Sequence, residues 1–282
     1  MSTSTSNVSR SHTTNSIGAA QQDERNASGR DTIDELLLPV FAAARTSESL
    51  VSNVHIVTVG DRQFDIPQFT LLGQNGGAPP LRIALFAGLE PGQPDTAAAL
   101  ARLLVRLTDD PIPANGFTVT AYPIVNVLGL ESSSASFADF EARYADSNPE
   151  GDVRLFKNEL STRAFDGLVK LRTDPGANGF YAIARGVLIA NEVAAPAIQA
   201  AGEFLPLLSY SLRVRSRDPL ARLRDAARGH LAPPPGVRPY PFDIELFAPG
   251  SLPAEQRIAG HVAAVLAILD AYRTLMAHAQ NL

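Results

Sequence analysis

The feature that most constrains the fold is an apolar run followed by a sharp turn and an amphipathic helix, between residues 81 and 107. Leu81 to Gly88 is short and apolar, with the length of a buried strand. From Asp95 to Leu107, apolar residues recur at intervals of three or four, which places them on one helix face. The turn between them is rich in glycine and proline and carries the polar side chains of Glu90 and Gln93. In an open α/β sheet, this order presents side chains at the carboxyl ends of the strands, where ligands bind.

The rest of the chain alternates between strand and helix patterns. Strands are predicted in a hairpin that turns at Gly60-Asp61 and in four later segments, Phe117 to Val125, Asp166 to Pro175, Phe180 to Ile189 and Pro239 to Pro249. Helices are predicted over Asp31 to Ala44, Ala194 to Leu208, Arg213 to Arg228 and Ser251 to Met276. The sequence therefore predicts one α/β domain over residues 31–282, with a mixed, mostly parallel sheet and helices on both faces. Residues 1–30 are predicted to form a disordered tail.

Composition excludes several kinds of chemistry and partner. The chain has no cysteine, which rules out a thiolate nucleophile, a disulfide framework and cysteine-ligated zinc. A formal net charge of -5 predicts no nucleic-acid partner. We see no apolar run with the length of a membrane span, and the first thirty residues lack the apolar core of a secretory signal. We therefore expect a cytoplasmic protein without a membrane partner, and we make no prediction about oligomers.

Five landmarks follow one another in a recognisable order. They are Ala87-Gly88-Leu89, Pro123-Ile-Val-Asn126-Val-Leu-Gly129, a lone Arg143, Asp152-Val-Arg154-Leu-Phe156, and Phe242-Asp-Ile-Glu245 before a long helix. In this order and spacing the chain resembles the zinc carboxypeptidase family, and especially its branch of succinylglutamate desuccinylases and aspartoacylases. The resemblance covers roughly residues 50–276 and implies that family's fold.

The resemblance also implies roles for individual residues. Glu245 matches the family's general base and Arg143 its catalytic, oxyanion-stabilising arginine. Arg154 matches a carboxylate-binding arginine, and Asn126 and Arg172 lie at substrate-binding positions. As plainer alternatives, Glu90 is solvated in its turn, Gln93 only begins a helix, and Arg143 is a surface arginine.

The chain departs from the family at the metal. Glu90, Gln93 and Arg172 stand at the positions of the family's three zinc ligands, where the family has histidine, glutamate and histidine. Glutamine is a poor neutral donor, and arginine stays protonated and cannot ligate a metal. We therefore expect no zinc or other cofactor, and an ion pair between Arg172 and Glu90 in the place of the metal.

These residues leave three functions open. The leading hypothesis is a pseudoenzyme that has lost its zinc site and binds a ligand with a carboxylate, such as a peptide C-terminus or an acyl amino acid. The first alternative is an active metallocarboxypeptidase or amidohydrolase that holds a metal through Glu90, Asp174 and Glu245, a set that prefers Mg²⁺, Mn²⁺ or Ca²⁺ over zinc. The second alternative is a structural or assembly subunit with a vestigial pocket.

Overall fold

The computed structural model describes residues 34–77, 79–131, 137–146, 150–215 and 242–279. The tail predicted over residues 1–30 and most of the helix predicted from Arg213 to Arg228 lie outside these ranges. Eight strands form one sheet in the order β1-β2-β4-β3-β5-β8-β6-β7. Their bounds are Leu50–Val59 (β1), Arg62–Leu72 (β2), Leu81–Phe86 (β3), Phe117–Tyr122 (β4), Gly167–Asp174 (β5), Phe180–Arg185 (β6), Leu207–Arg215 (β7) and Phe242–Pro249 (β8).

The sheet is mixed and mostly parallel, as the sequence predicts. Strands β4, β3, β5 and β8 run parallel to one another and form its centre. The predicted hairpin, β1 and β2, is joined antiparallel to β4 and leaves β1 at one edge. On the other side, β6 runs antiparallel to β8, and β7 is parallel to β6 at the opposite edge. The predicted α/β architecture is confirmed.

Seven helices of five or more residues accompany the sheet in the described part of the chain. They span residues 34–46 (α1), Asp95–Asp109 (α2), Val127–Glu131 (α3), Phe137–Ala145 (α4), Gly151–Thr162 (α5), Val187–Ala201 (α6) and Ala254–Ala279 (α7). Helix α7 packs against α2 and α6, and α5 packs against α4 and β1. An aromatic cluster of Phe86, Tyr122, Phe140 and Phe156 joins α4 and α5 to the middle of the sheet.

Two predicted elements need correction near the second edge. The helix predicted from Ala194 to Leu208 ends at Ala201, because the chain turns at Gly202 and enters β7. Arg213 to Arg215, predicted as helix, belong to that strand. Strand β7 depends on pairing with β6, more than twenty residues earlier, which a local pattern does not reveal.

The terminal helix contradicts the expectation that no apolar segment has the length of a membrane span. Ala254–His278 is long and apolar enough, by length and composition alone, to cross a bilayer. Half of its most apolar window is buried within the fold, including the wholly buried Val265, Ile268 and Leu269. Packing against α2 and α6 therefore accounts for its apolar composition.

The strand register determines which side chains share a face. Lys170 of β5 lies opposite Glu245 of β8, and Glu245 lies opposite Ile183 of β6. Ile183 in turn lies opposite Arg213 of β7. Because directly paired residues point to the same face, these four side chains form one row across four strands. Charged residues therefore collect on one face of the sheet.

Candidate functional site

The turn after β3 is fixed by a glycine and an asparagine. Gly88 has φ +60°, and a Cβ atom there would lie 2.6 Å from the carbonyl oxygen of Pro123, so only glycine fits. The backbone N–H of Asn126 donates to the Gly88 carbonyl at 3.0 Å, and its Nδ2 donates to the Leu89 carbonyl at 3.2 Å. Asn126 thus holds the turn that presents Glu90. Its predicted contact with substrate stays a prediction.

Arg172 links two carboxylates at the carboxyl end of the central strands. Its Nε donates to Oε1 of Glu90 at 2.6 Å, and its Nη1 donates to Oε2 of Glu245 at 3.2 Å. The side chains of Arg172, Glu90 and Glu245 are 20%, 13% and 7% exposed, so the three charges lie largely out of water. The structure therefore contains the predicted ion pair between Arg172 and Glu90, and adds Glu245 to it.

Glu245 is surrounded by cations. Besides Arg172, the Nη1 of Arg215 donates to Oε1 of Glu245 at 2.7 Å, and Nζ of Lys170 lies 3.8 Å from the same oxygen. Burial alone would raise the pKa of Glu245, but the charges of Lys170, Arg215 and Arg172 lower it to about 2. A carboxylate held so firmly in its ionised form is a weak proton acceptor at neutral pH.

The same charged face continues toward β6. Nζ of Lys170 donates to Oδ1 of Asp243 at 2.8 Å, and Nη2 of Arg185 lies 3.8 Å from Oδ2 of Asp243. Sequence reasoning missed this part of the cluster. The signal that could have found it is a period of two, with Lys170 and Arg172 alternating in one apolar strand and Asp243 and Glu245 in another.

The Arg172 guanidinium lies over a pair of stacked aromatic rings. The Arg172 Cζ atom lies 4.9 Å from the ring centroid of Phe247, which stacks on Tyr181 at 4.5 Å with an interplanar angle of 4°. The Cζ atom of Arg213 lies 4.6 Å from the Tyr181 ring, so two arginines enclose two stacked rings. The Tyr181 hydroxyl donates to Oδ2 of Asp174 at 2.8 Å. Burial and this bond raise the pKa of Tyr181 to about 12.

The opposite face of β5 carries a second polar cluster, beneath α2 and α7. Oδ2 of Asp95 accepts from the Thr173 hydroxyl at 3.0 Å and from Nε of Arg257 at 2.9 Å. Burial lowers the pKa of the neighbouring His261 to about 4, although the charge of Asp95 acts in the opposite direction. His261 is therefore neutral at pH 7. This cluster joins β5 to α2 and α7.

Two predicted site residues lie outside the Glu90–Arg172–Glu245 cluster. Arg143 forms a bidentate pair with the fully buried Asp152, with distances of 2.5 Å from Nη1 to Oδ1 and 3.0 Å from Nη2 to Oδ2. This pair connects α4 to α5. Arg154 is exposed on α5 and faces β1. The roles predicted for Arg143 and Arg154 in catalysis and substrate binding stay predictions.

The residues present do not fit a zinc ion. Among the described residues, no three histidine, cysteine, aspartate or glutamate side chains converge as a metal site would require. The guanidinium of Arg172 lies between Glu90 and Glu245, and Asp174 accepts from Tyr181 and from the Gly176 N–H. A permanently protonated group therefore occupies the position that the family resemblance gives to a zinc ligand.

Comparisons with known proteins identify the fold. No protein-family model matches the sequence, and no curated protein matches it either. A candidate metallopeptidase from Shewanella denitrificans superposes with a TM-score of 0.61 at 13% identity, over 84% of this chain and 89% of that chain. A Pseudomonas aeruginosa metallo-carboxypeptidase, in complex with (2-guanidinoethylmercapto)succinic acid, gives 0.52 at 13% identity over 82% and 67% of the two chains.

A third similar structure extends the likeness to acylases. It is an aspartoacylase family protein from Mesorhizobium loti, with a TM-score of 0.51 and 11% identity, covering 79% of this chain and 68% of that one. Identities this low establish the fold and not the activity. The chain has a zinc carboxypeptidase-like fold.

Proposed function

We propose that this protein is a carboxypeptidase-like pseudoenzyme that binds a carboxylate-bearing ligand without metal-dependent hydrolysis. The observation that carries the proposal is the Arg172 guanidinium, held between Glu90 and Glu245 at 2.6 Å and 3.2 Å. In this position a fixed positive charge takes the place of a metal. The charge can attract and orient an anion, but it cannot generate a hydroxide nucleophile as a bound metal does.

The state of Glu245 supports the same proposal. A general base must take a proton from water, and a carboxylate whose pKa is lowered to about 2 has little tendency to do so. In addition, both of its oxygens already accept from arginines. Glu245 acts here as a counter-ion for Arg172 and Arg215.

A carboxylate is the ligand chemistry that the exposed part of the cluster favours. The Arg215 side chain is 35% exposed while its Nη1 donates to Glu245. A guanidinium carries five N–H donors, so Arg215 can hold Glu245 and a ligand carboxylate together. The Pseudomonas aeruginosa metallo-carboxypeptidase, which has the same fold, forms a complex with a succinic acid derivative. By analogy we expect a small dicarboxylate or an acyl amino acid.

Metal content and thermal melting test the proposal together. Protein purified without chelator would be analysed for bound metal, and then melted with Zn²⁺, Mn²⁺, EDTA, succinate or N-acetyl-aspartate. We expect no stoichiometric metal and no effect of EDTA. A carboxylate at a hundredfold excess over its dissociation constant should stabilise the fold by about 2.7 kcal/mol.

Each other result selects a different function. Stoichiometric metal, or a metal-dependent rise in melting temperature, would overturn the pseudoenzyme and favour an active metallocarboxypeptidase or amidohydrolase. If the protein binds neither a metal nor a carboxylate, that result would favour a structural subunit with a vestigial pocket.

A triple variant tests whether the metal position is placed correctly. Glu90→His, Gln93→Glu and Arg172→His together restore the family's ligand types at the three positions. We expect this variant, unlike the parent, to bind zinc and to melt at a higher temperature with zinc than with EDTA. A folded triple variant without zinc affinity would show that the three positions do not form the metal site.

A further inference from the structure

A groove runs along the strand β1, at the edge of the sheet remote from the charged cluster. Its volume is about 600 Å³, and it is lined by the six consecutive residues 53–58 and by one side of α5. Successive strand residues point to opposite faces, so a pocket on one face would be lined by every second residue. Lining by consecutive residues shows that this groove follows the backbone edge of the strand.

The register indicates which backbone groups face the groove. Val59 lies opposite Arg62 across a two-residue turn, and the Leu72 N–H donates to the Ser49 carbonyl at 2.8 Å. Odd-numbered residues of β1 are therefore hydrogen-bonded to β2, and even-numbered residues direct their N–H and C=O groups outward. The N–H and C=O of Ile56 and the N–H of Thr58 face the groove, while the Thr58 carbonyl lies against Gly151 at the start of α5, where a Cβ atom would approach it to 2.7 Å.

The side chains along this edge are apolar as well as polar. Val54 and Ile56 are 45% and 64% exposed. The N–H of Val54 donates to the side chain of its neighbour Asn53 at 3.0 Å, so the edge available for pairing begins at Ile56. Exposed β-branched side chains next to outward backbone groups are the features that an added strand uses.

The opposite wall of the groove supplies a positive charge. Arg154 of α5 is exposed and forms no ion pair with a described residue, and none of the described residues that line the groove is acidic. The groove is therefore electrostatically suited to an acidic group.

A buried network holds the wall of the groove in place. The Gln68 amide donates to Tyr122 at 2.7 Å and to the Glu159 carboxylate at 3.1 Å, so its oxygen faces His55 Nε2 at 3.0 Å. A carboxylate only accepts hydrogen bonds, which fixes the orientation of the amide and places the His55 proton on Nε2. The imidazole is thus oriented before any partner arrives.

We propose that this groove binds an extended, acidic peptide segment of another protein, which adds to β1 as a ninth strand. Backbone pairing with Ile56 and Thr58 would give affinity, and an aspartate or glutamate at Arg154 would give selectivity. The site is separate from the charged cluster, because β1 and β5 are four strand spacings apart, about 19 Å.

Fluorescence anisotropy with a synthetic probe tests this proposal. The probe is fluorescein-labelled Thr-Val-Thr-Val-Thr-Asp, and its matched control has Asn and a C-terminal amide in place of the two carboxylates. We expect saturable binding of the acidic probe to the full chain, about threefold to fivefold tighter than the control. Arg154→Gln should abolish this preference, because it removes the charge and little else from an exposed helix position.

Ile56→Pro tests the backbone pairing separately. Proline is tolerated at an edge strand where the N–H points outward, so β1 should still pair with β2 while losing one donor to the peptide. We expect at least a tenfold loss of affinity for both probes, with an unchanged urea midpoint. If this variant is unstable, hydrogen exchange in the parent replaces it: the probe should slow exchange at Ile56 and Thr58 and leave Val57 unchanged.

Two results would overturn the proposal. One is probe binding that is unchanged in the Arg154→Gln variant and that does not slow hydrogen exchange at Ile56 and Thr58. The other is sedimentation showing that the chain dimerises and that Ile56→Pro makes it monomeric, which would make a second copy the occupant of this edge.

Discussion

Arg172 donates through Nε to Oε1 of Glu90 at 2.6 Å, and this contact connects the end of β5 to the turn after β3. The two residues are 82 positions apart in the chain. Among the described residues Glu90 pairs with Arg172 alone, whereas Arg172 also pairs with Glu245, so Glu90 depends on Arg172 for neutralisation in a largely buried place. Burial raises the pKa of Glu90 even though the charge of Arg172 opposes the shift.

Breaking this pair from one side should cost much more than removing it entirely. Arg172→Met leaves two carboxylates without their shared cation, and we expect a loss of about 3 kcal/mol in the free energy of unfolding. The double variant Arg172→Met/Glu90→Gln should recover about 1 kcal/mol or more of that loss. Urea unfolding of the two single variants and the double variant gives the coupling energy.

An exposed pair provides the control for this cycle. Arg102 and Glu255 are 2.9 Å apart with side chains 48% and 74% exposed, so their coupling should stay below about 1 kcal/mol. Equal coupling in the two cycles would contradict the idea that Arg172 is held in a low-dielectric cluster.

Stability should fall in acid through Glu245. Its folded pKa of about 2 lies below the unfolded value of about 4.3, so it stabilises the fold above pH 4.3 and loses this contribution as pH falls toward 2. The contribution is of the order of 3 kcal/mol. Glu245→Gln should reduce the slope of unfolding free energy against pH by about 1.4 kcal/mol per unit in that window. Glu203→Gln, on an exposed turn, should leave the slope unchanged.

Two glycines of one turn should respond differently to alanine. Gly88 and Gly92 have φ +60° and +66°, but a Cβ atom meets the Pro123 carbonyl only at Gly88 and nothing within 4 Å at Gly92. We expect Gly92→Ala to cost about 1 kcal/mol, from backbone strain alone. Gly88→Ala adds a clash with backbone and should cost about 3 kcal/mol or more. Similar melting temperatures for the two variants would argue against the turn described here.

Arg143 should behave as a structural residue. Asp152 is fully buried, and Arg143→Ala removes its bidentate partner, so we expect a loss of about 3 kcal/mol in unfolding free energy. Arg143→Ala/Asp152→Asn should restore part of that loss, because the new amide carries no charge. A stable Arg143→Ala protein that has lost ligand affinity would instead favour the role predicted from the family resemblance.

Local patterns predicted much of the fold. The strand, turn and helix at residues 81–107 and the hairpin turn at Gly60-Asp61 need only nearby residues to be recognised, and both are present. Strand β7 was missed because it lies at an edge with exposed Leu207, Tyr210 and Val214, so no alternation of buried and exposed residues marks it. Helix α4 was not predicted, because only three aromatic residues in nine mark its apolar side.

Residues of the candidate site were predicted only at positions that the resemblance to the carboxypeptidase family identified. Glu90 and Arg172 come together as expected, because their strands are neighbours in the sheet. The Lys170 and Asp243 pair was missed, since their meeting depends on the register between β5 and β8. Arg154 was expected beside the same pocket, but helix α5 directs it toward β1.

Tyrosine fluorescence can report on the site, because Tyr181 stacks with Phe247 between Arg172 and Arg213. The chain has no tryptophan and six tyrosines, so tyrosine dominates its ultraviolet emission. Tyr181 is stacked on one ring, lies next to Arg213 and donates to a carboxylate, so its emission depends on all three neighbours. An anion that draws Arg213 off its ring would change the emission of Tyr181. Tyr181 is therefore an intrinsic fluorescent reporter of ligand binding at this face of the sheet.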